Sequence, residues 1–247
     1  MRMILGCLAA VATLTSLGAA SAADDSDGAE AARVPYLDLR AGWSQPPGLK
    51  VEETVTTTGQ LSAGYSWNSE DHRGQRGSLG VVWGQDRTRG FLAGAGLSYT
   101  RWETTPTSYT GGPTIPTTYT YSNQSILDAK LLMLDLQVGY AVGMHLNETL
   151  TTWIELAPTL GVGAMTASSE AQIAAGMFRK ATGTNMALEY GLRGGWYLAE
   201  RNWLFGLTGA WAYTRADVDI EFSQYTSSTL RVEGKGFRLG AEVGYRF

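Results

Sequence analysis

Cysteine, histidine and charge are all scarce in this chain. Its 247 residues include one cysteine, Cys7, and two histidines, His72 and His145. Cys7 lies in an N-terminal stretch that reads as a removed signal, so no disulfide framework is expected and other forces must hold an exported fold. The Ile4 to Cys7 stretch superficially matches a lipidation box, but it begins an apolar region instead of following one. Two isolated histidines exclude a histidine-cluster metal site. The acidic trio Asp24, Asp25 and Asp27 reads as a solvated segment behind the signal. No metal and no cofactor are expected. Charged residues are only 17%, with a net charge of −4 and no basic run. Nucleic acid is not an expected partner, because phosphate recognition needs a cationic footprint. Beyond residue 22 there is no run of eighteen uncharged apolar residues. The longest candidate, Asn202 to Thr214, is too short to cross a bilayer as a helix.

What the chain has is glycine, tyrosine, tryptophan and strict alternation. There are 31 Gly, 12 Tyr and 8 Trp, a composition that favours strands and turns. At the N-terminus, Arg2, the apolar run from Met3 to Gly18 and the small residues Ala20 to Ala22 read as a secretory signal over residues 1–22. Its loss takes Arg2 with it and makes the mature charge −5. Apolar residues then alternate with small or polar ones in eight segments. They centre on 61–67, 79–83, 91–99, 132–140, 154–162, 186–196, 203–213 and 237–247. Period two marks strands with two unlike faces. One face is large and apolar, the other mostly glycine or hydroxyl. A soluble sandwich would carry Lys, Glu and Asp on its open face. Small residues facing a narrow lumen and large ones facing lipid suit a barrel instead.

The links alternate in length. Gly84 to Arg89, Gly143 to Thr149 and Leu198 to Asn202 are short. Asn68 to Arg76, Glu103 to Ser125, Ala167 to Gly183 and Ala216 to Lys235 are long. Short periplasmic turns and long outer loops follow this rhythm in outer-membrane barrels. Trp67, Tyr99, Trp102, Tyr140, Trp153, Trp196, Trp203, Tyr213 and Tyr245 fall near strand ends, where interfacial aromatics sit. The expected fold is all-β: a transmembrane, antiparallel, up-and-down β-barrel of eight strands over residues 58–247. Residues 23–57 form an N-terminal segment in which Val34 to Trp43 also alternates. If Val51 to Thr57 returns beside it through Gln45 to Gly48, the barrel has ten strands. Eight is favoured.

Seven charges fall on the lumen-facing parity: Asp135, Glu155, Glu189, Arg193, Arg238, Glu242 and Arg246. Opposite charges in a narrow lumen must pair, so a network that plugs it is expected, with a charge-lined pore as the alternative reading.

The signal, the repeated amphipathic strands and the terminal Gly244-Tyr245-Arg246-Phe247 resemble the small Gram-negative outer-membrane β-barrel proteins. The resemblance spans nearly the whole mature chain and is one of pattern. It implies an outer-membrane location, contact with outer-membrane lipid and recognition by the barrel-assembly machinery. In that family the assembly signal would be Phe237, Leu239, Val243, Tyr245 and Phe247.

The family includes enzymes, yet no convincing catalytic constellation is present. His72 beside Asp71 could serve as a general base but reads as a solvated loop residue, and His145 reads as a turn residue. Gly94 to Gly96 lacks a dinucleotide loop's context. Sequons at Asn123 and Asn147 carry no weight in a bacterial barrel. The Thr- and Tyr-rich loop from Glu103 to Ser125 could contact an extracellular ligand. The expected role is structural or surface-interacting, with a narrow porin-like channel second and a lipid-modifying enzyme third.

Overall fold

In a computed structural model the described residues are 35–57, 63–68, 74–86, 88–104, 110–111, 127–174, 177–223 and 226–247. Alternation along the sequence becomes strands β1 (Tyr36–Gln45), β2 (Leu49–Thr57), β3 (Ala63–Asn68), β4 (Gly74–Gly84), β5 (Arg89–Thr104), β6 (Thr110–Gly111), β7 (Leu127–His145), β8 (Leu150–Ala174), β9 (Met177–Glu200), β10 (Trp203–Ser223) and β11 (Thr226–Arg246). Eight of them close an antiparallel ring, in the order β1, β4, β5, β7, β8, β9, β10, β11 and back to β1. Closure leaves no open edge in this ring and pairs each strand on both sides.

The ring begins at Tyr36, not near residue 58. Val34 to Trp43, set aside as a segment outside the eight, supplies β1 from Tyr36 onward. β1 and β2 both run antiparallel to β11, Asp38 to Gln45 against Arg246 to Leu239 and Leu49 to Thr57 against Gly234 to Thr226. They are two halves of one strand. Gln45 to Gly48 therefore does not turn the chain back, which removes the ten-strand alternative. β3 and β4 likewise run the same way, against β2 and β1 respectively. Two segments expected as neighbouring strands thus run the same way, as halves of one; of the expected loop Asn68 to Arg76, residues 69–73 lie outside the described residues.

Two further expected loops are strand. Residues 167–183 and 216–235 lie mostly on the β8–β9 and β10–β11 hairpins, whose ladders continue to Ala174–Met177 and Ser223–Thr226. On β10 the outward face is apolar from Trp203 to Tyr213, about the nine to eleven residues that span a bilayer, then becomes Arg215, Asp217, Asp219 and Glu221. The inward face carries Leu204 and then small residues, Gly206, Thr208, Ala210, Ala212 and Thr214, before the large Val218, Ile220 and Phe222, all three buried. The outer wall is thus divided into an apolar zone and a charged zone that meet between Tyr213 and Arg215.

Three short turns close one end. Asn147 Oδ1 accepts from Thr149 N at 2.9 Å and Leu150 N at 2.8 Å, an Asx turn. Asp86 Oδ1 accepts from Thr88 N at 2.8 Å. Arg201 adopts a positive φ of 54° in the β9–β10 turn. The C-terminus lies at this end, with Phe247 N donating to Leu37 O at 3.0 Å.

Candidate functional site

Alternation sends every second side chain of the ring into the lumen, and these stack in layers. At the short-turn end, Arg246 donates from Nε and Nη2 to the Asp38 carboxylate. Its guanidinium also lies over the rings of Tyr36, at 4.3 Å, and Trp153, at 4.7 Å. Arg40 forms the next layer. It grips Glu155 with two hydrogen bonds of 2.7 Å and reaches Asp38 at 2.9 Å. Trp153 Nε1 donates to Glu155 at 2.8 Å, and Trp153 stacks on Tyr197 with ring centres 5.4 Å apart. The Tyr197 ring fits because Gly195 and Gly206 flank it; a Cβ at either would collide with the ring.

Above this, Arg193 donates to Gln137 Oε1 at 2.7 Å, to the Tyr197 hydroxyl and to Glu242. Tyr197 in turn donates to Glu242 at 2.9 Å. In the next layer Glu189 accepts from Arg76 at 2.9 Å, from Arg238 at 2.8 Å and from Thr214 at 2.8 Å. Arg76 also donates to Asp135 at 2.8 Å. Five arginines thus meet five carboxylates in the belt region, Arg40, Arg76, Arg193, Arg238 and Arg246 against Asp38, Asp135, Glu155, Glu189 and Glu242. Bidentate, multiply hydrogen-bonded pairing is the condition under which charges can stay out of water. A cavity of about 110 Å³ remains among Arg76, Arg193, Arg238, Asp135, Gln137 and Glu242.

Beyond these layers the lumen turns apolar. Trp102, Leu131, Met133, Met165, Val218 and Val232 belong to one buried cluster that extends to Phe222. A second cluster, with Leu92, Trp153, Tyr197 and Leu204, fills the short-turn end. Within the upper cluster's level sits a carboxylate with no cation partner among the described residues, Glu53, which accepts from Ser228 at 2.7 Å and Ser169 at 3.0 Å. Burial pushes its pKa above the usual carboxylate range, and the two serine hydrogen bonds only partly offset that. On the outside of the same region, Arg231 pairs with Asp217 at 3.1 Å and Lys50 with Glu52 at 2.7 Å.

All seven charges read from the sequence face this lumen and take part in its network. Asp38, Arg40 and Arg76 belong to it too and were missed. Arg40 and Asp38 do alternate correctly within Val34 to Trp43, which is the signal that would have found them. Arg76 stood in a presumed loop. Phe237, Leu239, Val243, Tyr245 and Phe247 point outward and are exposed. Tyr245 contacts both Trp203 and Phe247 edge to face. His145, at the short-turn end, meets Thr151 Oγ1 at 2.9 Å. His72, the signal stretch and nearly all of Glu103 to Ser125 lie outside the described residues. Among the described residues no group of three His, Cys, Asp or Glu could hold a metal ion.

No known family profile and no curated protein matches the chain. Several solved structures resemble it. Ail, the attachment invasion locus protein of Yersinia pestis, is 14% identical over 86% of this chain and 99% of that one, with a TM-score of 0.28. The outer membrane protein OprG of Pseudomonas aeruginosa is 13% identical over 87% and 97%, with a TM-score of 0.41. The outer membrane protease OmpT of Escherichia coli is 10% identical over 86% and 97%, with a TM-score of 0.43. At these scores the likeness carries no argument about this chain, whose own closed ring of ladders makes it an eight-stranded antiparallel β-barrel.

Proposed function

We propose that this chain is a bacterial outer-membrane β-barrel with a plugged lumen, whose role is structural or in contacts made at its long-hairpin end. The observation that carries this reading is the change of the outward face along β10: apolar from Trp203 to Tyr213 and charged from Arg215, where Val218, Ile220 and Phe222 fill the inside. A wall of that kind suits lipid below and water above. The short turns would then face the periplasm, and the extended hairpins would stand outside the cell. Tyr245 and Phe247 would serve as the address read by the assembly machinery.

Paired ions between two apolar clusters leave no need for a conduction role. Incorporation into planar bilayers tests this. The expected record is flat, with no discrete openings. The cavity of about 110 Å³ amid the arginines favours a narrow porin-like channel as the second reading, and discrete openings would select it. No catalytic role is assigned, and a His72→Ala variant that altered lipid modification in the membrane would overturn that.

A further inference from the structure

The barrel seam is broken where its first and last strands meet. β11 holds one unbroken register with β10 from Trp203–Tyr245 to Glu221–Ser227. Against the first strand its register shifts by one residue between the Gln45–Leu239 and Leu49–Gly234 pairs. Pro46, Pro47 and Gly48 fill this step. Neither proline has an N–H to give to a ladder. Across from them Gly236 has a φ of +156°, and a Cβ there would lie 3.1 Å from Pro47. On the lumen side the break is closed: Trp102 Nε1 donates to Pro47 O at 3.1 Å. The result is an open recess of about 610 Å³ in the outer wall.

Its position is specific. Phe237 and Leu239 form the lower lining and are 79% and 74% exposed, more than any other large apolar residue among those described. Tyr213, Glu233, Lys235 and Lys50 form the upper lining. The recess therefore straddles the upper edge of the apolar belt. Lys50 is held by Glu52, and the Tyr213 hydroxyl by Glu233. Lys235 has no partner among the described residues. It projects two residues above Phe237 on the same face of β11, an ammonium at headgroup depth over an apolar slot.

We propose that this recess binds one lipid with an anionic phosphate headgroup, its acyl chain against Phe237 and Leu239 and its phosphate on Lys235. The inference rests on the membrane reading above. Charge complementarity chooses the occupant. In a zwitterionic headgroup the phosphate already has a cation of its own, whereas the phosphate of a net-anionic headgroup has none and takes its countercharge from Lys235.

The test is photolabelling of the purified full barrel in bicelles, with phosphatidylglycerol or phosphatidylcholine carrying a diazirine in the acyl chain. Adducts are mapped by peptide mass spectrometry. The expected result is labelling of 45–50 and 235–239 by phosphatidylglycerol at about fivefold over other belt segments, the factor one lysine near anionic headgroups contributes. Phosphatidylcholine should label the seam no more than the rest of the belt. Lys235→Gln should abolish the preference. Lys130→Gln, at matching height on the continuous β5–β7 wall, should not. Labelling of the belt by both lipids with no seam preference would overturn this inference alone. Absence of labelling at belt segments such as 203–213 would overturn the membrane reading as well.

Discussion

Arg76 and Glu189, 113 positions apart in sequence, meet in the lumen at 2.9 Å. One carboxylate thereby holds two guanidiniums, because Arg238 shares it. Glu189→Ala would leave both cations buried with less than their due charge. Removing one partner of a buried pair costs about 3–5 kcal/mol. Urea unfolding of the refolded barrel in detergent should show that loss. Glu189→Gln should lose less, because it keeps an acceptor for Thr214 and one arginine. A loss under about 1 kcal/mol for Glu189→Ala would mean that water already screens the network.

The outer wall gives a paired prediction. Leu136 is exposed mid-belt on β7, and Leu136→Arg should cost about 2–4 kcal/mol in a bilayer. Thr182 faces outward on the extension, where its hydroxyl meets Ser168 Oγ at 2.8 Å. Thr182→Arg should stay within about 0.5 kcal/mol. Equal costs at the two sites, measured by unfolding in lipid, would erase the distinction between a dry and a wet wall.

Glu53 predicts a pH dependence. Its folded pKa is raised, first by burial. A carboxyl of this kind binds its proton more tightly folded than unfolded. Its favourable contribution is whole below the ordinary glutamate value and is lost as pH rises through the folded one. Glu53→Gln should remove that dependence, so the variant gains on the parent as pH climbs above the ordinary value. Unfolding curves at stepped pH in detergent check this. A parent that grew more stable than the variant with rising pH would show that Glu53 has a cation partner.

Phe247 ends on Leu37 of the first strand and packs on Tyr245. Deletion of Phe247 should slow assembly in cells while leaving circular dichroism of the refolded protein nearly unchanged. Normal assembly rates would remove the address reading of this terminus.

Much of the barrel is legible from alternation alone. Trp203 to Tyr213 and Phe237 to Phe247 read as lipid-facing strands because large apolar residues mark one parity. The same strands become illegible above Tyr213. There the apolar residues Val218, Ile220 and Phe222 move to the other parity, so a reader following the greasy face sees the strand end. β3 and β4 were split into two strands because Leu61 to Trp67 and Leu79 to Trp83 each alternate. Alternation reports a strand's faces but not its direction, so it cannot separate two antiparallel strands from two halves of one. That error displaced the ring's start and hid Asp38, Arg40 and Arg76. The network's chemistry was readable because charges on a lumen parity must pair. The partner of each charge was not, since it depends on inter-strand register.

A cysteine scan along β10 tests the two-zone wall most directly. Cys7 is the one cysteine in the sequence, so a chain expressed from Ala23 onward is a cysteine-free background. Spin labels at positions 205, 207, 211, 215, 217, 219 and 221 would be read in bilayers for quenching by oxygen and by a water-soluble nickel chelate. The account predicts oxygen-dominated quenching up to 211 and nickel-dominated quenching from 215 onward. Nickel access at 205 and 207 equal to that at 219 and 221 would contradict it.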